Sequence, residues 1–273
     1  MTAYEVAELT GGARVLVCGA RVTGDAVVAA LTGLAGLGPR ITVCDDNEDA
    51  LQRHRDAGRG ALTTAAAQRH MADQDLVIVS PGFGPSAPVV QAAVQAGLPI
   101  WGDVELAWRL DASGRYGPPK RWVVVTGTNG KTTTTAMVHD MLTVAGGTSA
   151  LCGNIGDPVL NVLDRDVEFL AVELSSFQLH WAPSVRPAAG AVLNVAEDHL
   201  DWHGGMEGYT PDKARALDGE VAVAGLDDAV AGGCLPLPRH RSRRDFVPGN
   251  PRWASWGCWT VGWWIGHSVP TYR

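Results

Sequence analysis

One stretch, residues 122–142, limits what this chain can fold into more than any other. Residues 122–126 are an apolar, β-branched run typical of a buried strand, and residues 127–130 form a Gly-Thr-Asn-Gly turn. The residues after this turn have near-helical spacing. A strand that leads through a glycine turn into a helix is the arrangement found in α/β nucleotide-binding domains.

The turn is suited to binding phosphate. Its backbone N–H groups and the positive end of the helix dipole face an anion, Lys131 can reach the β- and γ-phosphates, and the Thr132 hydroxyl can hold Mg²⁺. The common motif has a glycine where this chain has Val125, so a chance glycine turn is the alternative. The candidates for binding ATP are Gly127, Thr128, Asn129, Gly130, Lys131, Thr132 and Thr133.

Length and charge narrow the function classes. The 273 residues suffice for two domains, and the formal net charge of −7 argues against non-specific binding of nucleic acid. No apolar run reaches the roughly 18 residues that span a bilayer, and the acidic start of the chain does not resemble a signal peptide. Five scattered cysteines without a C-x-x-C pair are typical of thiols in a reducing cytosol. We expect a cytoplasmic monomer that handles small molecules, with no membrane or nucleic-acid partner.

Lysine is scarce. The chain contains only Lys120, Lys131 and Lys213, and its remaining cationic residues are arginines. Because arginine serves the ordinary surface positions, a lysine within a motif is a candidate for chemistry.

The first 112 residues predict a Rossmann-like domain. A strand at 13–19 ends in a glycine turn, a helix follows from about 25 to 34, and the strand at 41–45 ends on Asp45. A dinucleotide site would need a glycine in place of Arg21, whose side chain obstructs the approach of a pyrophosphate. A uridine or sugar nucleotide fits better, while NAD(P) and a turn without a ligand are the alternatives. The binding candidates here are Gly19, Thr23, Gly24 and Asp45.

A further strand at 75–80 ends on Ser80, which places a hydroxyl where open α/β sheets bind ligands. Residues 111–120 are polar and contain two glycines and two prolines, as in an interdomain linker. We therefore expect a second domain over residues 113–230, opened by the phosphate loop.

Two later strands of that domain carry further candidates. The strand at 169–173 ends on Glu173, where a nucleotide hydrolase or ligase places a metal-binding or water-orienting carboxylate. The strand at 190–194 leads to His199 and His203. A zinc site, a neutral nitrogen ligand beside Mg²⁺, and loop histidines without a ligand role are the three interpretations, and the second is favoured.

Five motifs together resemble the Mur ligase family. They are GTNGKTT at 127–133, GNIG at 153–156, ELSSFQL at 173–179, LNVAEDHLD at 193–201, and Tyr209 with Lys213 four residues later. The motifs GARVTG, SPGF and WGDVELAWR of the first domain resemble the members that act on UDP-N-acetylmuramoyl-L-alanine.

The resemblance implies an α/β fold and an activity. The fold is a Rossmann-like domain that binds a UDP-sugar, followed by a P-loop ATP-binding central domain that is incomplete here. The activity is an ATP-dependent amide ligation in peptidoglycan precursor synthesis. UDP-N-acetylmuramoyl-L-alanine would be activated as an acyl phosphate and D-glutamate would supply the amine. Another Mur ligase, a folylpolyglutamate synthase, and a nucleotide-binding remnant without ligase activity are the alternatives.

The resemblance also assigns roles to residues. Lys131 would be catalytic, and two Mg²⁺ ions would be held by Thr132, Glu173, His199 and a carbamylated Lys213. Carbamylation makes physical sense because an ammonium is repelled by a dication, whereas a carbamate is an oxygen ligand. The residues expected near the muramoyl-peptide end are Asn154, Ser175 and Gln178.

The chain departs from the family in its last part. Family members continue into a third domain, and here the resemblance fades after about residue 228. Residues 231–273 hold five of the ten tryptophans and show no periodicity, so we expect them to be unstructured. Under one possible choice of codons, a one-base shift of residues 255–260 gives the apolar segment Leu-Gly-Val-Leu-Asp, which suggests a frame-shifted reading. A membrane- or partner-binding tail is the rival interpretation. We expect a chain without a third domain to be weakly active or inactive alone.

Overall fold

The computed structural model describes residues 5–34, 36–235 and 242–246, the last range for its backbone only. The strands are β1 (Arg14–Cys18), β2 (Arg40–Cys44), β3 (Gly60–Leu62), β4 (Leu76–Val79), β5 (Ile100–Gly102), β6 (Arg121–Thr126), β7 (Ser149–Gly153), β8 (Phe169–Glu173), β9 (Ala189–Val192), β10 (Val221–Gly225) and β11 (Ser242–Phe246). The helices are α1 (Val6–Leu9), α2 (Val22–Thr32), α3 (Glu48–Asp56), α4 (Thr64–Arg69), α5 (Pro88–Gln95), α6 (Asp103–Ala112), α7 (Lys131–Val144), α8 (Ser176–His180), α9 (Leu200–His203), α10 (Met206–Ala214) and α11 (Ala229–Gly233).

Two parallel sheets organise these elements. The first has the strand order β3-β2-β1-β4-β5 and the second the order β11-β10-β9-β6-β8-β7. All the strand pairs are parallel, and the central strands are buried on both faces. In the first sheet β1 lies between β2 and β4, and in the second β6 lies between β8 and β9, so the strand order changes direction at β1 and at β6. Ligands of such sheets bind beyond the carboxyl ends of the strands, at the point where the order reverses.

The α/β class with a Rossmann-like first unit and a P-loop second unit is confirmed. The change of sheet falls between β5 and β6, after α6 has closed the first unit. Two details differ from expectation. Helix α2 begins at Val22 rather than about residue 25, because the Asp25 N–H already donates to the Arg21 carbonyl. The short strand β3 was not expected, since its Gly-Ala-Leu sequence has too few residues to show a period.

The last part of the chain also differs from expectation where it is described. Residues 231–233 complete α11, whose N-cap Asp228 accepts the N–H groups of Val230 and Ala231. The backbone of β11 pairs in parallel with β10, although its Ser-Arg-Arg-Asp-Phe sequence has no apolar run. Strand pairing at a sheet edge depends on backbone N–H and C=O groups, so it needs no such run. The remaining residues of the Trp-rich segment, and the frame-shift hypothesis, lie outside the described residues.

The two units touch along α6 and the segment after α8. The Gly102 N–H donates to the Trp181 carbonyl at 2.8 Å, and a side chain at Gly102 would lie 2.8 Å from the Trp181 Cβ. The buried Glu105 carboxylate binds Arg109 and the Ser184 N–H. These contacts hold the carboxyl edges of both sheets in a fixed relation. Among the described helices, none is long and apolar enough to cross a bilayer.

Candidate functional site

The phosphate loop between β6 and α7 requires its two glycines. Gly127 has a φ of 159° and Gly130, the N-cap of α7, a φ of 83°, both disfavoured for other residues. A Cβ at Gly127 would also lie 3.1 Å from the Leu193 Cβ. The Thr134 N–H donates to the Gly130 carbonyl, so the N–H groups before it belong to the first turn, which has no internal acceptors. These donors and the helix dipole suit an anion.

A neighbouring loop after β9 holds the phosphate loop in place. The Asn194 side chain accepts the Asn129 N–H at 2.9 Å and donates to the Asn129 carbonyl at 3.1 Å. Thr128 Oγ1 accepts the Ala196 N–H and lies 3.0 Å from the Tyr209 hydroxyl. Sequence reasoning missed Asn194 as a part of the site, although its place directly after a buried strand was a usable signal.

Two lysines converge on one carbonyl of this loop. Lys131 Nζ donates to the carbonyls of Gly127 and Thr128 at 3.0 Å each, and Lys213 Nζ donates to the same Gly127 carbonyl at 2.9 Å. Lys213 is buried and lies over the Tyr209 ring. Burial, together with the charge of Lys131, lowers the pKa of Lys213 to about 8, although Asp198 opposes the shift. At pH 7 roughly one tenth of Lys213 is therefore a neutral amine, far more than for an ordinary lysine.

Glu173, at the end of β8, contacts Asn154, which directly follows the neighbouring strand β7. Glu173 pairs in register with Val125 and is only 3% exposed. Its Oε1 accepts a hydrogen bond from Asn154 Nδ2 at 3.0 Å, and its backbone carbonyl accepts the Asn154 N–H. The close approach depends on Gly153, since a Cβ there would overlap the Glu173 carbonyl. The carboxylate is thus fixed at the carboxyl edge of the sheet.

Ser175 and Gln178 have a structural role that the sequence did not reveal. Ser175 Oγ accepts the Gln178 N–H and Gln178 Oε1 accepts the Ser175 N–H, which is a capping box on α8. The Gln178 side chain faces Asp103 of the first unit and opposes the rise in the pKa of that carboxyl group. Burial raises the pKa of Asp103 to about 6, and its Oδ1 has no hydrogen-bond partner among the described residues.

His199 makes its side-chain contacts with residues other than the metal candidates, among the residues described. Its side chain is 54% exposed and 3.5 Å from Asp198, and its ring centroid lies 4.9 Å from that of Phe177 with the rings tilted by 49°. Within the described residues these are its side-chain partners, and neither Glu173 nor Lys213 is among them. Its φ of 50° is the left-handed region, which an imidazole residue adopts at a cost and which is common at functional sites.

The candidates of the first unit meet at the end of β1. Gly19 packs so tightly against Ser80 that a Cβ would lie 2.9 Å from the Ser80 Cβ, and a Cβ at Gly24 would overlap the Gly19 carbonyl. Asp45 Oδ2 accepts the Ala20 N–H at 2.8 Å. Thr23 is half-buried in the first turn of α2. The structure therefore brings the predicted nucleotide-binding residues of this unit together around one turn.

The donor set near the phosphate loop fits Mg²⁺. Glu173 offers a buried carboxylate, and Thr132 is exposed in the first turn of α7. Thr126 Oγ1, at the end of β6, is buried without a partner in the described part of the chain. Oxygen ligands of this type are those that Mg²⁺ prefers. The ligand roles of Thr132, Glu173, His199 and Lys213 stay predictions.

Comparisons with known proteins agree with this geometry. Residues 125–233 match the Mur ligase middle domain. The chain is 64% identical over 247 residues to the UDP-N-acetylmuramoylalanine–D-glutamate ligase of Mycolicibacterium smegmatis. The aligned region covers 90% of this chain and 50% of that protein. It is 58% identical over 240 residues to the protein of the same name from Mycobacterium tuberculosis, which covers 88% of this chain and 48% of that protein. The chain spans about half the length of the curated relatives it matches.

A solved structure shows the same fold at low identity. The UDP-N-acetylmuramate:L-alanyl-gamma-D-glutamyl-meso-diaminopimelate ligase of Neisseria meningitides has a TM-score of 0.51 and 16% identity. The likeness covers 86% of this chain and 78% of that one. With the middle-domain match in the second sheet and the long matches to D-glutamate ligases, the resemblance to the Mur ligase family recognised in the sequence is confirmed, and residues 125–233 are a Mur ligase middle domain.

Proposed function

We propose that this chain carries the binding sites for ATP and UDP-N-acetylmuramoyl-L-alanine of a ligase that adds D-glutamate in peptidoglycan precursor synthesis. The observation that carries the proposal is that Lys131 and Lys213 both donate to the Gly127 carbonyl. Gly127 directly follows β6, the strand that pairs with the one ending on Glu173. The 64% identity to a protein named as a D-glutamate ligase supports the choice of amino acid.

The reaction has two steps. The alanine carboxylate attacks the γ-phosphorus of ATP, and the bond from that phosphorus to the bridging oxygen breaks. An acyl phosphate is formed and ADP is released. The amine of D-glutamate then attacks the acyl carbon, and phosphate leaves from the tetrahedral intermediate as the amine loses its proton. Both steps gather negative charge, so cations and aligned N–H groups stabilise them most.

The second unit supplies those groups. The N–H groups of Gly127–Gly130 and the first turn of α7 bind the phosphates, with Lys131 close to the γ-phosphate. Thr132 and Glu173 would hold one Mg²⁺, and His199 and Lys213 would hold a second. Bound there, the ions would supply positive charge that offsets the negative charge of the phosphates.

Lys213 binds its metal as a carbamate. Its neutral amine attacks CO₂, a C–N bond forms, and one proton is released. Burial beside Lys131 favours this product, because an anion replaces a second ammonium near the first. A Lys213→Ala protein should lose activity and regain part of it with added short-chain carboxylic acids. Full activity of that variant without added acid would contradict the carbamate.

The first unit binds the uridine nucleotide around the turn after β1. Gly19 and Gly24 allow close backbone approach, and Asp45 and Ser80 provide polar contacts with Thr23 beside them. Asn154, Ser175 and Gln178 lie toward the muramoyl-peptide end. We further propose that the protein acts as a cytoplasmic monomer.

Trapping of the acyl phosphate tests this function. The purified chain is incubated with Mg²⁺-ATP, UDP-N-acetylmuramoyl-L-alanine and hydroxylamine, and products are identified by mass. We expect a hydroxamate of the substrate and equal ADP, both in low yield and both absent without the substrate. Equal ADP formation with and without the UDP-sugar would contradict the proposal. Binding of both nucleotides without any acyl product would instead favour a nucleotide-binding remnant.

A further inference from the structure

Helices α8, α9 and α10 bring two imidazoles and a carboxylate together. Asp212 Oδ2 lies 2.7 Å from His180 Nδ1 and 2.9 Å from His203 Nδ1. The three candidate ligand atoms lie within 4.8 Å of one another. The group depends on the packing of α8 against α9 and α10, which follow it in the sequence by about 20 residues or more.

The group is enclosed. The His203 side chain is fully buried, Asp212 is 5% exposed, and the His180 side chain is 27% exposed. A carboxylate at this depth is costly unless a cation or several hydrogen bonds compensate it. The cationic partner Arg215 approaches the other oxygen, Oδ1, at 3.4 Å and leaves Oδ2 to the imidazoles.

Outer contacts orient the group as they do in metal sites. His203 Nε2 lies 2.9 Å from Ser176 Oγ, and Arg215 fixes the Asp212 carboxylate from its other side. Metal-binding imidazoles commonly use their second nitrogen in such a contact. If Nδ1 binds a metal, the neutral His203 ring carries its proton on Nε2 and donates it to Ser176. Binding then changes the tautomer without loss of a proton.

We propose that His180, His203 and Asp212 form a binding site for a transition-metal ion such as Zn²⁺, separate from the phosphate loop. Two nitrogen ligands and one carboxylate suit this ion class better than Mg²⁺, which prefers oxygen. The adjacent residue Lys213 points to the Gly127 carbonyl instead, so the two groups lie on different faces of α10. The ion ties α8, α9 and α10 together, with its open position on the side of His180.

Titration with Co²⁺ tests the site without reference to ligase activity. The metal-stripped chain is titrated in excess Mg²⁺, which occupies oxygen-rich sites, while the visible absorption of Co²⁺ is recorded. We expect one equivalent of Co²⁺ to bind and to show the strong visible absorption of a four-coordinate ion. Added Zn²⁺ should displace the Co²⁺ and abolish this absorption. His180→Ala and Asp212→Asn should lower the affinity by at least about 100-fold.

Control variants make the test decisive. His70→Ala removes an exposed imidazole elsewhere and should leave the titration unchanged. His180 is partly exposed, so its alanine variant should keep the circular dichroism spectrum of the parent. No four-coordinate absorption in the parent chain would overturn the proposal. Absorption that persists in a folded His180→Ala protein would overturn it as well, because the ion would then lie elsewhere.

Discussion

The turns after β1 and β6 have the same backbone design and different charged neighbours. Each joins a buried parallel strand to a helix through glycines that a side chain would disrupt. At the first turn the Asp45 carboxylate accepts the Ala20 N–H and Arg53 donates to the Ala20 carbonyl, whereas at the second turn two lysines donate to the Gly127 carbonyl. The second turn therefore suits a triphosphate better than the first, where a carboxylate offsets part of the positive charge. The shared fold fixes where ligands bind, and the nearby side chains decide which ligand binds.

The largest expected effect is at the second turn. Lys131→Ala should weaken Mg²⁺-ATP binding by at least about 1,000-fold, roughly 4 kcal/mol, because two charge-assisted hydrogen bonds to phosphate are lost. Isothermal titration calorimetry measures this change. Arg186→Ala removes an exposed cation of the same unit and should bind ATP normally. Equal losses in both variants would mean that general charge attracts the nucleotide, and the contrast between the turns would fail.

The first turn should depend on packing instead of charge. Gly24→Ala should destabilise the protein by about 3 kcal/mol, since its Cβ would overlap the Gly19 carbonyl and force the backbone apart. Gly82→Ala is the matched control, because no atom lies within 4 Å of a Cβ there. Denaturant unfolding gives both values. A Gly24→Ala protein as stable as the control would show that the two glycines are not in contact.

The stability of the contact between the two units, which α6 makes with the segment after α8, should depend on pH through Asp103. Its pKa of about 6, against an ordinary 3.8, means that the folded protein binds this proton more tightly than the unfolded chain. Stability should therefore fall as pH rises from about 4 to 6, by at most roughly 3 kcal/mol, and level off above that. Asp103→Asn should remove this slope.

The control for Asp103→Asn is Asp164→Asn, which changes an exposed carboxyl group. It should keep the parent's dependence of stability on pH. Urea unfolding midpoints across this pH range provide the measurement. A slope that survives in Asp103→Asn would assign the titration to another group.

The smallest expected effect concerns α8. Ser175→Ala removes the side-chain half of the capping box and should cost about 1 kcal/mol of stability. Ser175→Thr retains the hydroxyl and should cost less. If Ser175→Ala instead leaves stability unchanged and weakens UDP-N-acetylmuramoyl-L-alanine binding, then its hydroxyl serves the substrate and not the helix.

The sequence located features that depend on local patterns. The phosphate loop was predictable because a strand, a turn and a helix follow one another within residues 121–144. Glu173 and Asp45 were placed at strand ends because buried parallel strands are continuous apolar runs.

Other features depend on contacts that no local pattern contains. Lys213 meets the Gly127 carbonyl across 86 positions, and its lowered pKa follows from that burial. His180 and Asp212 are separated by 32 positions, so their pairing was invisible while His199 and His203 appeared as the natural pair. The roles of Ser175 and Gln178 in a capping box were hidden because the same polar types also bind substrates.

The most direct test of the account is a binding comparison of two variants with two nucleotides. ATP and UDP-N-acetylmuramoyl-L-alanine are titrated separately into the parent chain, Lys131→Ala and Asp45→Ala. We predict that Lys131→Ala loses ATP and keeps the UDP-sugar, while Asp45→Ala weakens the UDP-sugar and keeps ATP. Loss of both ligands in either folded variant, or competition between the two ligands in the parent chain, would contradict the assignment of one nucleotide to each turn.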